Sequence, residues 1–208
     1  TPGSGSIYDL TLSSQLLFAK ASSSESTRIF SLLFPANPTY TSSIPGFNAV
    51  AGTNNYLYIC NTTGFYVYDI SNSLSPQLVG NCNAPGSIMA LQGNYVHVID
   101  NNNLYQVVDI HNANQPFVAG NISTSGLYFY DLEIVGNFSF AFYSSSIGSL
   151  FTFNVTDFAN IESISNFILP SLVGGLTVQN NIVYQANGLS GLALINVTNH
   201  RIPSYFVP

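Results

Sequence analysis

The chain has 208 residues, of which 46% are hydrophobic and only 6% are charged, and its formal net charge is −6. Disorder is excluded, because it requires low hydrophobicity together with a high net charge. Three Lys and Arg residues are too few for the cationic patch that binds nucleic acid or an anionic membrane surface, so both are poor partners. No apolar run approaches the roughly 20 residues that span a bilayer, and we expect no membrane insertion.

Short runs rich in Val, Ile, Tyr and Phe recur along the chain and are separated by Gly, Asn, Ser and Pro. Such runs predict strands and turns rather than helices. Four runs make one repeat of about 40 residues, and five repeats fill a single domain over 1–208. We place the repeats at 7–46, 47–86, 87–129, 130–173 and 174–208. Residues 1–6 have the composition of a flexible N-terminal arm.

The repeats align at one Asx residue and one following proline. Asp69 and Pro76 of the second repeat recur 40 residues later as Asp109 and Pro116. The same two positions are Asn154 and Ile161 in the fourth repeat and Asn196 and Pro203 in the fifth, and the first repeat is degenerate. Four-stranded units of this period indicate propeller blades. We predict an all-β, five-bladed β-propeller; the alternative is a β-sandwich pilin-like domain, against which the five-fold repetition argues.

The first repeat begins with its own inner strand at 7–12, and the last ends with its own outer strand at 204–207. No strand exchange is therefore evident. Either the ring closes by face packing between the first and last blades, or another subunit completes the strand edges.

A turn and a longer run are shared by the clearest repeats. The turn is Gly93-Asn94-Tyr95, and the run is Tyr66–Asn72 followed by Pro76, or Gln106–Asn112 followed by Pro116. In these residues the chain resembles the LVIVD-repeat family of β-propellers. The resemblance implies a propeller fold and, because the family is found largely on surface and secreted proteins, an extracellular location. It implies no particular activity.

Five N-x-S/T sequons mark possible N-glycosylation sites, at Asn61, Asn121, Asn137, Asn154 and Asn196. Asn154 and Asn196 take the turn position of Asp69 and Asp109, where an Asx side chain can bond the turn backbone. We expect this turn, and the hairpin turn at Asn137, to face solvent and accept a glycan. The alternative is that Asn only replaces Asp as a turn former.

The two cysteines are Cys60 and Cys82. Cysteines of an extracellular chain often pair, and we predict a disulfide between them. The alternative is two thiols, because the predicted strands that carry them are not neighbours.

No sequence motif of a nucleotide-binding, metalloprotease or serine-hydrolase site is present, and we expect no enzyme activity, cofactor or metal. His97, His111 and His200 lie in different repeats, without the spacing of a metal site. Asp131 and Glu133 share one face of a predicted inner strand. Asp131 occupies the same inner-strand position as Asp9 and Asn48, and these side chains are expected to form a hydrogen-bonded ring or to hold water around the axis of the propeller. The alternatives are a cation in that channel, or polysaccharide hydrolysis through Asp131 and Glu133.

The sequons and the uncharged polar surface favour a non-enzymatic structural or adhesive glycoprotein. We expect it on the outside of a cell or a virion, as a subunit of a surface filament or coat, with other protein subunits and N-linked glycans as partners. The alternative is a lectin-like propeller that binds carbohydrate through tyrosines, of which the chain has 13.

Overall fold

The computed structural model describes residues 7–13, 15–21, 26–45, 49–53, 55–100, 104–124, 126–144, 148–169, 174–188 and 191–206. These residues form twenty β-strands and one short 3₁₀-helix, Phe158–Asn160. Each run of four consecutive strands makes one antiparallel sheet whose strands lie in chain order. The runs rich in β-branched and aromatic residues form these strands, because such side chains pack well on a pleated surface.

Sheet 1 contains β1 (Ile7–Ser13), β2 (Leu16–Ala21), β3 (Ser26–Ser31) and β4 (Thr39–Pro45), and sheet 2 contains β5 (Ala49–Gly52), β6 (Tyr56–Cys60), β7 (Phe65–Asp69) and β8 (Gln77–Cys82). Sheet 3 contains β9 (Ile88–Gln92), β10 (Tyr95–Asp100), β11 (Leu104–Asp109) and β12 (Phe117–Ser123). Sheet 4 contains β13 (Phe129–Val135), β14 (Phe138–Ser144), β15 (Gly148–Asn154) and β16 (Glu162–Leu169), and sheet 5 contains β17 (Leu176–Gln179), β18 (Ile182–Ala186), β19 (Leu192–Asn196) and β20 (Ser204–Tyr205).

The prediction of an all-β chain is confirmed, and five separate four-stranded sheets are propeller-like rather than the two stacked sheets of a sandwich. Sheet 4 begins at Phe129, one residue inside the range assigned to the third repeat. The N-terminal arm, Asn48 and the side chain of Asp9 lie outside the described residues.

The chain divides into two compact units. The first comprises 1–100 and 108–118, and in it the first strands of sheets 1, 2 and 3 contact one another in succession. Two apolar cores fill it. Phe18 and Ile29 of sheet 1 pack with Leu57 and Ile70 of sheet 2. The opposite face of sheet 2, with Tyr58, Phe65 and Val67, packs with Val96, Val98 and Val108 of sheet 3.

The second unit comprises 101–107 and 119–208. Its core lies between sheets 4 and 5, where Phe140, Phe142 and Leu150 pack with Val183, Ile195 and Val197. Tyr105 also lies in this unit, fully buried, with its ring stacked 5.0 Å from that of Phe153. Its hydroxyl bonds the hydroxyl of Ser139 at 2.9 Å, so the one polar atom of the ring is satisfied.

Within each unit, the two faces of a sheet are named by chain order. The leading face of a sheet packs on the preceding sheet, and the trailing face packs on the following sheet, as seen between sheets 1 and 2, sheets 2 and 3, and sheets 4 and 5. Leu57 and Ile70 lie on the leading face of sheet 2, and Phe65 lies on its trailing face. Val183 lies on the leading face of sheet 5, and Leu150 lies on the trailing face of sheet 4.

Candidate functional site: the repeated Asx turns

The turn between the third and fourth strands has the same hydrogen bonds in sheets 2 to 5. The Oδ1 atom at the Asx position accepts a bond from the backbone N–H two residues later. The N···O distances are 2.8 Å at Asp69, 2.9 Å at Asp109, 3.0 Å at Asn154 and 2.9 Å at Asn196. Carboxylate and carboxamide therefore serve the turn equally well.

A second Asx side chain follows three residues later in each of these turns. Its Oδ1 atom also accepts from the N–H two residues on, at 3.2 Å for Asn72, 3.1 Å for Asn112, 3.0 Å for Asp157 and 3.1 Å for Asn199. In sheet 1, where the repeat is degenerate in sequence, Ser31 takes the first Asx position and its hydroxyl accepts from Leu33 N–H at 3.3 Å. The turn of sheet 1 therefore has the same kind of hydrogen bond as the other turns, although its residue types differ.

Two predicted glycosylation sites lie in these turns. Asn154 Oδ1 accepts both the N–H of Thr156 at 3.0 Å and its hydroxyl at 2.6 Å, and Asn196 Oδ1 accepts Thr198 N–H at 2.9 Å. Both asparagines are half-buried and both threonines are exposed. Because the turn uses Oδ1 and a glycan is carried by Nδ2, the two roles are compatible.

The other three sequons lie on different elements. Asn61 forms a similar turn between β6 and β7, with Thr63 N–H at 2.8 Å and the Thr63 hydroxyl at 2.7 Å from its Oδ1 atom. Asn121 is exposed on β12. Asn137 is exposed in the β13–β14 turn, where Gly136 has φ +58°, a conformation that glycine adopts without strain.

The carboxyl groups of Asp69 and Asp109 each interact with the side chain two residues later in the turn. The pKa of the Asp69 carboxyl is lowered from its usual value by hydrogen bonds from the side chain and then the backbone of Ser71. At the equivalent turn of sheet 3, the Nδ1 atom of His111 lies 2.8 Å from Asp109 Oδ1. The hydroxyl of Ser71 and the imidazole of His111 thus each have a partner within their own turn.

The predicted disulfide between Cys60 and Cys82 is not formed, and both residues are thiols. Cys60 pairs with Phe65 on β7, and Phe65 pairs with Cys82 on β8, so a whole strand separates the cysteines. Two strand spacings are about 9.5 Å, which exceeds the roughly 7 Å limit of Cα separation for a disulfide. Burial raises the pKa of the Cys82 thiol to about 11, so it is a poor nucleophile at neutral pH.

Asp131 bridges sheets 4 and 5 within the second unit. Its Oδ1 atom accepts Leu132 N–H at 2.9 Å, and its Oδ2 atom accepts Leu176 N–H at 2.6 Å. Partial burial, and then the charge of Asp131, raise the pKa of Glu133. The carboxylate that sequence placed in a possible catalytic or cation-binding pair therefore serves as a hydrogen-bond acceptor between two inner strands.

The histidines lie at unrelated places in the fold. Burial lowers the pKa of His97 to about 4, so this fully buried ring on β10 is neutral at pH 7. His200 stacks on Phe138 with ring centroids 3.6 Å apart, and burial lowers its pKa. Among the described residues, no three His, Cys, Asp or Glu side chains are grouped closely enough to hold a metal ion.

Two glycines have a role that sequence reasoning did not assign. A Cβ atom on Gly80 would lie 2.1 Å from the carbonyl oxygen of Ala113, and one on Gly120 would lie 1.7 Å from that of Phe158. Each glycine lies on the fourth strand of a sheet and touches the turn of the next repeat. Their regular spacing after Pro76 and Pro116 was the signal that could have revealed this contact.

No helix among the described residues has the length and apolar character needed to traverse a bilayer.

No curated protein sequence matches the chain. Solved structures match its fold at low identity. A protein from Lactobacillus plantarum matches at 15% identity with a TM-score of 0.74, covering 95% of this chain and 69% of its own.

A functionally unknown protein from Desulfotomaculum acetoxidans matches at 15% identity with a TM-score of 0.72, covering 99% of this chain and 73% of its own. Kluyveromyces lactis Hsv2p matches at 16% identity with a TM-score of 0.73, covering 98% of this chain and 73% of its own. These likenesses concern the fold alone.

The LVIVD-repeat family model matches residues 48–84 and 87–124, which hold sheets 2 and 3. The chain is therefore a propeller-like protein that carries two LVIVD repeats, and the resemblance found in its sequence is confirmed.

Proposed function

We propose that the five sheets are the blades of a five-bladed β-propeller and that the chain is a non-enzymatic structural or adhesive glycoprotein. Its place is outside the cell or on a virion, as a subunit of a surface filament or coat. Other protein subunits and N-linked glycans are its partners in this proposal. The observation that carries it is the position of the sequons at Asn154 and Asn196, each in an exposed turn that repeats through the fold.

The geometry of these turns supports modification without loss of structure. The Thr156 hydroxyl is exposed and bonds the oxygen of the Asn154 carboxamide, so the recognition hydroxyl and the acceptor amide form one local unit. A glycan on Nδ2 extends from a turn whose hydrogen bonds use Oδ1 and which is followed by an exposed threonine. In a chain with only 6% charged residues, such sugars provide the hydrophilic surface that charged side chains provide in other proteins.

The test is intact-mass analysis of protein from its native source or a glycosylating host, before and after enzymatic removal of N-glycans. We expect a mass excess that the enzyme removes. Asn154→Asp is expected to remove one glycan and to keep the melting temperature of the unglycosylated chain, because Asp holds the same turn in sheets 2 and 3. An unmodified mass in the native source would refute the glycoprotein.

A carbohydrate-binding function is the second candidate, and an exposed aromatic pair favours it. Tyr128 is 48% exposed and Tyr130 is 56% exposed, with ring centroids 5.1 Å apart. A β-bulge between Phe129 and Asp131 presents Tyr130 at the surface. Exposed tyrosine rings offer apolar faces and a hydroxyl to a sugar. Glycan-array binding that Tyr130→Ala abolishes would support this candidate, and an array without bound glycan would reject it.

A further inference from the structure

A groove lies between sheets 2 and 3, where the β5–β6 turn of sheet 2 meets the β9–β10 turn and the Asx turn of sheet 3. Its volume is about 390 Å³, and ligand sites in proteins have volumes of roughly 300 to 1,000 Å³. All of its lining residues belong to the first compact unit. We call it the 2–3 groove, and it is lined by Thr53, Tyr56, Tyr58, Asn94 and residues 110–114.

Backbone hydrogen bonds hold both walls of the 2–3 groove in place. In sheet 2, Thr53 N–H donates to Tyr56 O at 2.8 Å, and Tyr56 N–H donates to Thr53 Oγ1 at 3.2 Å. In sheet 3, Ile110 N–H donates to Asn94 O at 2.9 Å and so joins the hairpin turn to the Asx turn. Because the walls are already ordered, a ligand does not have to order them when it binds.

The side chains that line the 2–3 groove are polar but include no Lys, Arg, Asp or Glu. They provide the hydroxyl of Thr53 and the carboxamides of Asn94, Asn112 and Asn114. Asn94 and Asn114 are exposed, and neither carboxamide has a hydrogen-bond partner among the described residues. A carboxamide both donates and accepts hydrogen bonds, and a sugar hydroxyl does the same. A neutral polyhydroxylated ligand therefore fits this lining better than an ion.

An equivalent groove between sheets 4 and 5 shows that its aromatic ring accepts a stacked partner. Phe138 occupies the position of Tyr56, since each of them pairs with the Asx residue of its own sheet. His200 occupies the position of Ala113, four residues after the Asx residue. The ring of His200 stacks on Phe138 with centroids 3.6 Å apart and planes 12° apart.

The 2–3 groove has no such partner on its own aromatic ring. Ala113 has only a methyl group where His200 has an imidazole. Tyr56 is half-buried, and no aromatic ring among the described residues contacts it. The space that His200 takes in sheets 4 and 5 is therefore left to a ligand in sheets 2 and 3.

We propose that the 2–3 groove binds a neutral saccharide. The C–H face of one sugar ring packs on Tyr56, as His200 packs on Phe138, and the sugar hydroxyls bond the carboxamides of Asn94 and Asn114. This inference deepens the adhesive role of the proposed function by naming its ligand class, and it rests on that role for its biological meaning. Binding itself requires neither a glycan on this chain nor the exposed pair Tyr128 and Tyr130.

The experiment uses the full chain from a bacterial host, which adds no N-glycan, on an array of neutral oligosaccharides of hexoses and N-acetylhexosamines. We expect binding that saturates when a bound oligosaccharide is titrated in solution. Ala113→His should weaken it at least about tenfold, because it places a ring on Tyr56. Asn94→Ala combined with Asn114→Ala should also weaken it about tenfold, since two hydrogen bonds are lost. Asn137→Ala is the matched control, because Asn137 has the same hairpin position in sheet 4 and does not line the groove.

The melting temperature of each variant shows whether it is folded, and the two asparagine changes decide the question if Ala113→His does not fold. An array without bound oligosaccharide overturns the inference, and so does binding that the groove variants retain. Binding that Tyr130→Ala abolishes but the groove variants retain belongs to the other carbohydrate site and also overturns it. If the native chain carries N-glycans but binds no saccharide, this inference fails and the proposed glycoprotein stands.

Discussion

Gly120→Ala tests whether the sheets are held together by close approach of a strand to the next turn. Gly120 has no positive φ, so alanine there should stabilise the chain by about 0.4 to 1 kcal/mol if space were available. The added Cβ would instead lie 1.7 Å from the Phe158 carbonyl oxygen and 2.5 Å from its carbonyl carbon. Non-bonded carbon contacts are optimal near about 3.5 Å, so the turn must retreat by more than about 1 Å.

Overpacking of this kind costs about 1 to 3 kcal/mol, and a backbone obstacle belongs at the upper end of that range. After the entropic gain of alanine is subtracted, we expect a net loss of about 2 kcal/mol. For a chain of this size, that loss lowers the melting temperature by about 4 to 8 °C.

The measurement is chemical and thermal unfolding followed by circular dichroism, with Gly80→Ala as a second instance of the same contact. Gly136→Ala is the control, because a Cβ there meets nothing within 4 Å and only the positive φ is strained. It should cost about 1 kcal/mol. A Gly120→Ala variant as stable as the wild type would refute the docking of the turn on this strand.

Two further predictions concern buried groups. Alkylation of the unfolded chain without a reductant should label both Cys60 and Cys82. If neither cysteine were labelled, they would form a disulfide, which would contradict their separation by β7. For His97, whose pKa is about 4 when folded and about 6.5 when unfolded, protonation favours the unfolded chain. The contribution of His97 to the free energy of unfolding should therefore be fully present above pH 6.5 and should fall by about 3 kcal/mol as the pH falls to 4. His97→Phe should reduce the dependence of the free energy of unfolding on pH over this range. An equal pH dependence in the two proteins would contradict the prediction.

Much of the fold was predictable because its cause is local. The 40-residue step between Asp69 and Asp109 reports a turn whose hydrogen bonds lie within a few residues, so sequence alone locates it. The same turn in sheet 1 was harder to recognise, since Ser31 supplies a hydroxyl where the other repeats use an Asx side chain. Geometry is preserved there although the residue type is not.

The features that sequence did not predict depend on which elements meet. Cys60 and Cys82 were assigned a disulfide, although register places Phe65 between them. The partner of Asp131 is the N–H of Leu176, which lies 45 residues away on another sheet.

The Asx turn also explains how N-x-S/T sequons can arise in this fold without cost to stability. Asp69 and Asn154 accept equivalent hydrogen bonds at 2.8 and 3.0 Å, so exchange of carboxylate for carboxamide leaves the turn intact. Asp69→Asn followed by Ile70 and Ser71 completes an N-x-S sequon, whereas Asp109→Asn does not, because His111 stands where the hydroxyl is required.

We expect Asp69→Asn to gain one glycan in a glycosylating host and Asp109→Asn to gain none, with both variants folding like the wild type. Peptide mass spectrometry after N-glycan removal measures the occupancy at each position. A glycan at the Asp109→Asn position would show that the hydroxyl is not what selects these turns. Absence of one at the Asp69→Asn position, in a chain occupied at Asn154, would show that the repeated turn geometry does not by itself make an accessible acceptor.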